Sequence, residues 1–359
     1  MEVKKGLIGV IMPIYNTEKY LTKSIRSVLR QSYKNFIVVL VNDCSPDNSL
    51  EICKRFKESD SRIFIVDKGY NEGVLYARFE GIEKARMLGC EFVTFLDSDD
   101  WLRSDALELM IDAQKKHNAD IVEARSYRCW GLYKKENKGT LPEFADTESV
   151  VISQPELYDN YFISYFGINK LGVNMWGKLY RIGLYDPSIV SACDYKMGED
   201  LYTNMHILPH VKRYCYLNRA IYNYRWGGMT SKYNPHLLSD LKKMFVEKVR
   251  FAKELNYSKA FVPSAIELKN ILFSFVEMRL DFYHPIEQIK NDLTNELSDE
   301  VWELFDALSK EYVYLHKDRE MQLVLERDVL GILSCIQERR KSLKSKIIRT
   351  IKRGMAYVC

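Results

Sequence analysis

The chain has 359 residues, more than one ordinary domain needs, and its 47% hydrophobic content excludes wholesale disorder. No stretch holds about eighteen uninterrupted apolar residues, which excludes a simple membrane-spanning helix. Eight scattered cysteines without a C-x-x-C pair argue against a structural zinc site. Residues 1–5 run into an apolar stretch without a secretory leader pattern, so reduced thiols and a cytoplasmic setting are expected. The formal charge of +4 is uneven: residues 339–359 carry eight Lys or Arg and no acid, leaving 45 basic against 49 acidic residues elsewhere. Anionic partners are therefore to be sought at the tail rather than over the body.

In chain order, the first 128 residues alternate strand and helix patterns. A strand is expected at 7–12, then a helix at 18–31 with Leu21, Ile25, Val28 and Leu29 on one face and Asn16 or Thr17 as its cap. Further strands fall at 36–41, 62–66, 91–96 and 120–124, and further helices at 48–58, 74–88 and 104–116, the last capped by Ser104. The strands are nearly continuous in hydrophobicity, as in a parallel sheet buried on both faces. Repeated β-α units imply a doubly wound, Rossmann-like sheet, in which ligands bind beyond the carboxyl ends of the strands.

The alternation then breaks down. Residues 133–149 are polar and read as an irregular excursion, 155–166 as helical, and the stretch to 185 as glycine- and aromatic-rich. A helix is expected at 199–207, with short strands near 213–217 and 220–224. From about 236 the pattern is helical, in segments bounded by Asn256, Pro263, Pro285 and Ser298, with no repeat of fixed period. The expected organisation is an α/β domain over 1–235, a helical module over 236–340 and a basic amphipathic tail over 341–359.

Four strand ends carry the polar residues. The first ends in Pro13-Ile14-Tyr15-Asn16 and the second in Asn42-Asp43-Cys44-Ser45-Pro46-Asp47. Asn71-Glu72-Gly73 follows the third and opens a helix bearing Arg78; the fourth ends in Asp97-Ser98-Asp99-Asp100. Three carboxylates in four residues repel unless a cation or protons neutralise them. Hard oxygen ligands select Mg²⁺ or Mn²⁺, for which one or two carboxylates plus substrate phosphates suffice. The bland alternative is a solvated turn ahead of a capped helix. Asp43 alone is equally a turn residue, or a carboxylate placed to accept from a base's ring N–H. Gly73 suits a close backbone approach, followed by helix N–H groups fit for an anion.

Together, Pro13-Ile14-Tyr15-Asn16, Asp43 within Val41-Asn42-Asp43-Cys44-Ser45-Pro46-Asp47, Asn71-x-Gly73 with Ala77-Arg78 and Gly81-Ile82, and Phe95-Leu96-Asp97-Ser98-Asp99-Asp100 resemble the family 2 inverting glycosyltransferases of the GT-A fold. The resemblance is strong over about residues 7–128 and patchier to about 235. It implies a GT-A domain that takes a nucleoside-diphosphate sugar, a UDP-sugar by preference, with Mn²⁺ or Mg²⁺. Pro13, Tyr15, Asn16 and Asp43 would line the nucleoside pocket. Asn71, Gly73 and Arg78 would complete the donor site, with Asp97 and Ser98 at the ribose or sugar. Asp99, helped by Asp97, would ligate the metal. Two departures, Asn42-Asp43-Cys44-Ser45 for Asp-Asp-Gly-Ser and Phe79 for the usual Asn, leave the base preference open.

Met197-Gly198-Glu199-Asp200-Leu201 opens a helix, where acids act as caps unless the resemblance applies. The resemblance makes Asp200 the general base, with Glu199 as fallback. Asn174-Met175-Trp176-Gly177-Lys178-Leu179-Tyr180 resembles a Trp-x-Lys-Leu-Tyr segment of bacterial members, which implies acceptor contacts for Trp176 and Lys178. A lone Trp is equally a core residue. Tyr224-Arg225 with Ser231-Lys232 resembles a loop closing over the diphosphate, Arg225 making the phosphate contact.

His206 and His210 are four apart but separated by Pro209, and no H-E-x-x-H, P-loop, G-x-G-x-x-G or G-x-S-x-G pattern occurs. Leu343, Ile347, Ile348, Ile351 and Met355 share a helical face ringed by basic residues, the pattern of a helix lying in an anionic membrane interface or of a solvated terminal helix. The expected function is transfer of a sugar to a glycan or lipid-linked acceptor at the inner membrane face. The rival is a catalytically silent nucleotide-sugar-binding scaffold. Nucleic-acid binding through the tail is disfavoured by the acidic body. The helical module is open to packing, dimerisation or acceptor binding.

Overall fold

In the computed structural model, residues 2–131, 133–137, 147–191, 197–227, 237–281, 284–312 and 318–341 are described. They divide into two units, one of Met1–Tyr165 with Asn169–Trp226, the other of Phe166–Ile168 with Gly227–Cys359. The first unit opens with four β-α steps and a closing strand: β1 (Lys4–Ile14), α1 (Glu18–Leu29), β2 (Phe36–Asn42), α2 (Ser49–Ser59), β3 (Ile63–Asp67), α3 (Val74–Met87), β4 (Cys90–Phe95), β5 (Trp101–Leu102), α4 (Ala106–His117) and β6 (Ile121–Trp130). It continues with β7 (Tyr133–Asn137), β8 (Ser149–Ser153), β9 (Lys178–Arg181), α5 (Ser188–Ser191), α6 (Glu199–Ile207) and β10 (Arg213–Arg225).

The sheet runs β3-β2-β1-β4-β9-β6-β10-β5, with β7 on β6 and β8 on β10. β3, β2, β1 and β4 are parallel neighbours. β9 lies antiparallel to both β4 and β6, so β6 and its parallel partner β10 again point the same way as β4. The carboxyl ends of β1, β2, β4, β6 and β10 therefore share one edge. The chain order reverses between β1 and β4, and such a switch point opens a crevice for ligands. Nine successive buried residues in β1, covered by helices on both faces, explain its unbroken apolar run. On one face α1 inserts Leu21, Ile25 and Val28; on the other, Gly81 of α3 lets the helix approach so closely that a Cβ would stand 2.4 Å from Ile11 Cγ2.

Four expectations change. Thr17 stands at the start of α1 without a side-chain cap; the Asp47 carboxylate accepts from Glu18 N at 2.9 Å. Ser104 does not cap α4, whose Leu107 N–H donates to Gln31 Oε1 at 3.0 Å. Both caps come from neighbouring segments, which local sequence does not register. The polar excursion contains β7 and β8, edge strands held by backbone pairing; every β7 residue is exposed, so no apolar alternation marks it. The two short strands near 213–224 are one strand, β10, whose pairing to β6 shifts register between Leu217 and Tyr222.

The second unit contains α7 (Leu237–Glu254), α8 (Phe261–Asp281), α9 (Ile286–Leu297), α10 (Val301–Glu311), α11 (Arg319–Leu325) and α12 (Val329–Lys341) around a core holding Leu272, Trp302 and Phe305. Pro263 does not bound α8 but sits in its first turn, where a missing N–H costs nothing. Lys242, Lys248 and Lys269 are buried and each meets acids of this unit, as Lys242 does Glu296 and Asp299. Among the described residues no helix is long and apolar enough to cross a membrane. The tail expected to lie in a membrane interface falls, from residue 342, outside the described residues.

Candidate active site

The polar strand ends meet at the shared sheet edge. Pro13 at the end of β1 is in register with Val41 of β2, and Asp43 N donates to Ile14 O at 2.9 Å. Tyr15 and Asn16 follow, both exposed, with Asn16 at φ 54. Asp43 is 3% exposed and accepts from Glu72 N at 3.1 Å and Gly73 N at 2.8 Å, while Lys68 Nζ pairs with it at 3.1 Å. Both its oxygens thus brace the Asn71-Glu72-Gly73 turn. Oδ1 meets both Glu72 N and Lys68 Nζ, which leaves one lone pair on Oδ2, so room for a base's N–H is narrower than the bare sequence implies. Gly73 has φ 96 and ψ 168, a conformation essentially confined to glycine, though a Cβ would meet nothing within 4 Å.

Arg78, in the second turn of α3, is the hub. It is 2% exposed and donates through Nη2 to Asp97 at 3.1 Å, and through Nη1 to Glu199 at 3.3 Å and Asp200 at 2.5 Å. Residues at the end of β4 and at the start of α6 are joined by one guanidinium. Burial pushes the Glu199 carboxyl up to about 7, with repulsion from Asp200 adding and Arg78 opposing. Burial likewise pushes Asp97 up to about 6 against the pull of Arg78, with Asp200 and Asp99 adding.

Within Asp97-Ser98-Asp99-Asp100 each member has its own partner. Ser98 Oγ accepts from Thr17 Oγ1 at 3.0 Å, tying the β4 end to the β1 end. Asp99 pairs with Arg225 Nη2 at 2.5 Å, and that guanidinium lies 4.0 Å from the Tyr20 ring centre. Asp100 is 2% exposed and accepts from the Tyr222 hydroxyl at 2.8 Å and Arg225 N at 2.7 Å; burial, then Asp97 and Asp99, raise its pKa well above the carboxylate range. It anchors β10 to the acidic turn rather than capping the next helix. Tyr222 Oη in turn accepts from Asp97 N at 3.1 Å.

Asp200 is held at both oxygens, Oδ1 by Arg78 and Oδ2 by Met175 N at 3.0 Å. Trp176 stacks on Tyr222 and Tyr224, with centroid separations of 4.6 and 5.6 Å, and is partly buried against the sheet core. Lys178 is the clear correction. Expected to touch an acceptor, it is fully buried and its ammonium donates inward to Gly172 O and to Asn174 O at 2.9 Å. Ser231 and Lys232 lie outside the described residues.

Among the described residues no group of three or more His, Cys, Asp or Glu is arranged to hold a metal by itself. A cation of the Mg²⁺ or Mn²⁺ type needs no such cage when phosphates complete its shell. Asp99 fits that role: about a quarter exposed, hard oxygen donors, and already paired with a cation in Arg225. Asp97, similarly exposed, would be the neighbouring donor.

Residues 9–162 match the family model described as glycosyl transferase family 2. That stretch is a family 2 glycosyltransferase domain. Glycosyltransferase GlyA of Streptococcus pneumoniae serotype 4 is 31% identical over 255 residues, covering 70% of this chain and 35% of GlyA. The uncharacterized glycosyltransferase EpsJ of Bacillus subtilis is 27% identical over 258 residues, covering 68% of this chain and 69% of EpsJ. The chain thus spans about a third of GlyA's length. Among solved structures, S. aureus TarS 1-349 in complex with UDP-GlcNAc superposes with a TM-score of 0.63 at 22% identity, covering 93% of this chain and 91% of that one. The architecture is that GT-A fold with a helical C-terminal region.

Two residues at this site carry no sequence signal of their own. Tyr222 looks like an ordinary strand aromatic and Asn204 like a helix polar residue, until the fold sets them beside Asp97 and Asp200.

Proposed function

We propose that this chain is an inverting glycosyltransferase that moves a sugar from a nucleoside-diphosphate donor, a UDP-sugar by preference, to a hydroxyl of a glycan or lipid-linked acceptor. The observation that carries this reading is the Arg78 bridge between Asp97 and the Glu199-Asp200 pair. It sets a donor-side carboxylate and a candidate base on opposite flanks of one cation at the sheet's switch point. The TarS complex with UDP-GlcNAc, which has the same fold, supports the choice of donor class.

In this reading Tyr15, Asn16 and the Asp43-braced turn hold the nucleoside, and the amide groups opening α3 face its phosphates. Asp200 uses a remaining lone pair to take the proton of the acceptor hydroxyl. The acceptor oxygen attacks the anomeric carbon in line, the bond to the diphosphate oxygen breaks, and the configuration inverts. Base catalysis of this kind contributes about 10²–10⁴-fold. Arg225 exchanges Asp99 for the departing diphosphate, to which its guanidinium offers paired N–H donors. A divalent cation held by Asp99, with Asp97 beside it, would neutralise charge on that leaving group. Trp176, stacked on Tyr222 and Tyr224, offers the acceptor sugar an aromatic face.

The test is transfer and donor hydrolysis with Mn²⁺ over a panel of nucleotide sugars, for the parent chain, Asp200→Asn and Asp99→Asn. Parent-like turnover in either variant removes that residue from its role. Metal-dependent nucleotide binding with no turnover on any donor would favour the silent-scaffold reading instead.

A further inference from the structure

Residues 172–176 draw their hydrogen bonds from side chains rather than from a helix or sheet ladder. Gly172 N donates to the Glu123 carboxylate at 3.1 and 3.3 Å. Gly172 O and Asn174 O both accept from the Lys178 ammonium, and Val173 O accepts from Asn204 Nδ2 at 2.9 Å. Asn204 Nδ2 also donates to Asp200 O at 2.9 Å, and its Oδ1 accepts from Tyr180 Oη at 2.8 Å. At the end of this strap the Met175 N–H meets Asp200 Oδ2 at 3.0 Å.

A fully buried ammonium is an expensive way to tie down a loop, because an apolar side chain of similar size would pack there without desolvating a charge. Burial pulls the Lys178 pKa down while the charges of Glu123 and Asp200 oppose the shift. One of its bonds grips the Asn174 carbonyl, which shares a peptide plane with the Met175 N–H that meets Asp200; the other holds Gly172 O, and Asn204 ties the intervening Val173 carbonyl to the first turn of α6. The geometry assigns Lys178 and Asn204 the role of positioning residues for Asp200: they aim the Met175 N–H and thereby set the plane of the carboxylate. The inference rests on Asp200 acting as the base.

The experiment compares the full chain with Lys178→Met, Asn204→Ala and Asp200→Asn, and with each of the first two combined with the third. It reads kcat and KM for transfer together with UDP affinity and melting temperature. Misaiming a base costs up to about 100-fold, so Lys178→Met is expected to lower kcat about 10- to 100-fold. Donor KM and UDP affinity stay within about twofold, since ground-state binding is untouched. In the Asp200→Asn background neither Lys178→Met nor Asn204→Ala lowers the residual rate further, because both act through that carboxylate. Parent-like kcat in both single variants, or a loss that multiplies in the Asp200→Asn background, overturns the positioning role and leaves the base reading standing. Full activity of Asp200→Asn overturns the base reading and this inference with it. Should Lys178→Met fail to fold, Asn204→Ala decides the question on the same criteria.

Discussion

Replacing Arg78 by Met removes the guanidinium that joins Asp97, Glu199 and Asp200, at 3.1, 3.3 and 2.5 Å, and it does so at a position only 2% exposed. Removing one partner of a buried ion pair costs about 3–5 kcal/mol, because the charge left behind is neither paired nor hydrated. Protons can relieve that charge, which gives the loss a pH dependence. Each unit by which a carboxyl pKa rises on losing the guanidinium costs about 1.4 kcal/mol where the parent group is ionised. Glu199 sits at about 7 and Asp97 at about 6, so both are ionised at pH 8 and largely protonated near pH 5.5. The expected loss is therefore about 3–5 kcal/mol at pH 8, shrinking by at least about 1–2 kcal/mol at pH 5.5. Urea unfolding followed by tryptophan fluorescence is the assay, since Trp101, Trp130, Trp176 and Trp226 lie in the first unit and only Trp302 in the second. A loss under about 1 kcal/mol at pH 8, or equal losses at the two pH values, would refute the hub role.

Glu199→Gln should stabilise the chain at alkaline pH. Its carboxyl pKa is raised from 4.5 to about 7, so the folded state binds the extra proton and stability falls as pH climbs through that window. The gain is at most about 3 kcal/mol at pH 8 and vanishes below about pH 4.5, read from denaturation midpoints across pH; no gain at pH 8 contradicts it. Gly73→Ala should cost about 1–3 kcal/mol through backbone strain alone, with UDP affinity weakened by calorimetry; an unchanged melting temperature would count against it. Tyr222→Phe strips Asp100 of a donor and Asp97 N of an acceptor, and is expected to cost about 1–3 kcal/mol in a melt. Asp99→Asn should weaken Mn²⁺ binding in the presence of UDP by about tenfold or more in a calorimetric titration, and an unchanged affinity would dissociate Asp99 from the metal.

The β-α alternation of the first 128 residues is legible because strands buried on both faces and amphipathic helices each impose their own period on the chain. The four polar strand ends are legible for a related reason: each motif is local, so its residues read together before any folding. What that pattern could not deliver was β9. Its four residues lie amid glycines and aromatics, and they are a strand only because β4 and β6 leave an antiparallel slot between them. The caps of α1 and α4 likewise depend on Asp47 and Gln31, which come from other segments.

The same division runs through the site. The sequence alone determined which carboxylates were candidates, since charge repulsion within Asp97-Ser98-Asp99-Asp100 is set by spacing along the chain. Tertiary structure decided what each one faces: Arg78 for Asp97 and Asp200, Arg225 for Asp99, Tyr222 for Asp100. It also turned Lys178 inward onto two backbone carbonyls, where its motif implied an acceptor contact. A side chain's partners depend on distances across the fold, and residues 78 and 200 become neighbours only once the sheet has brought α3 and α6 to one edge.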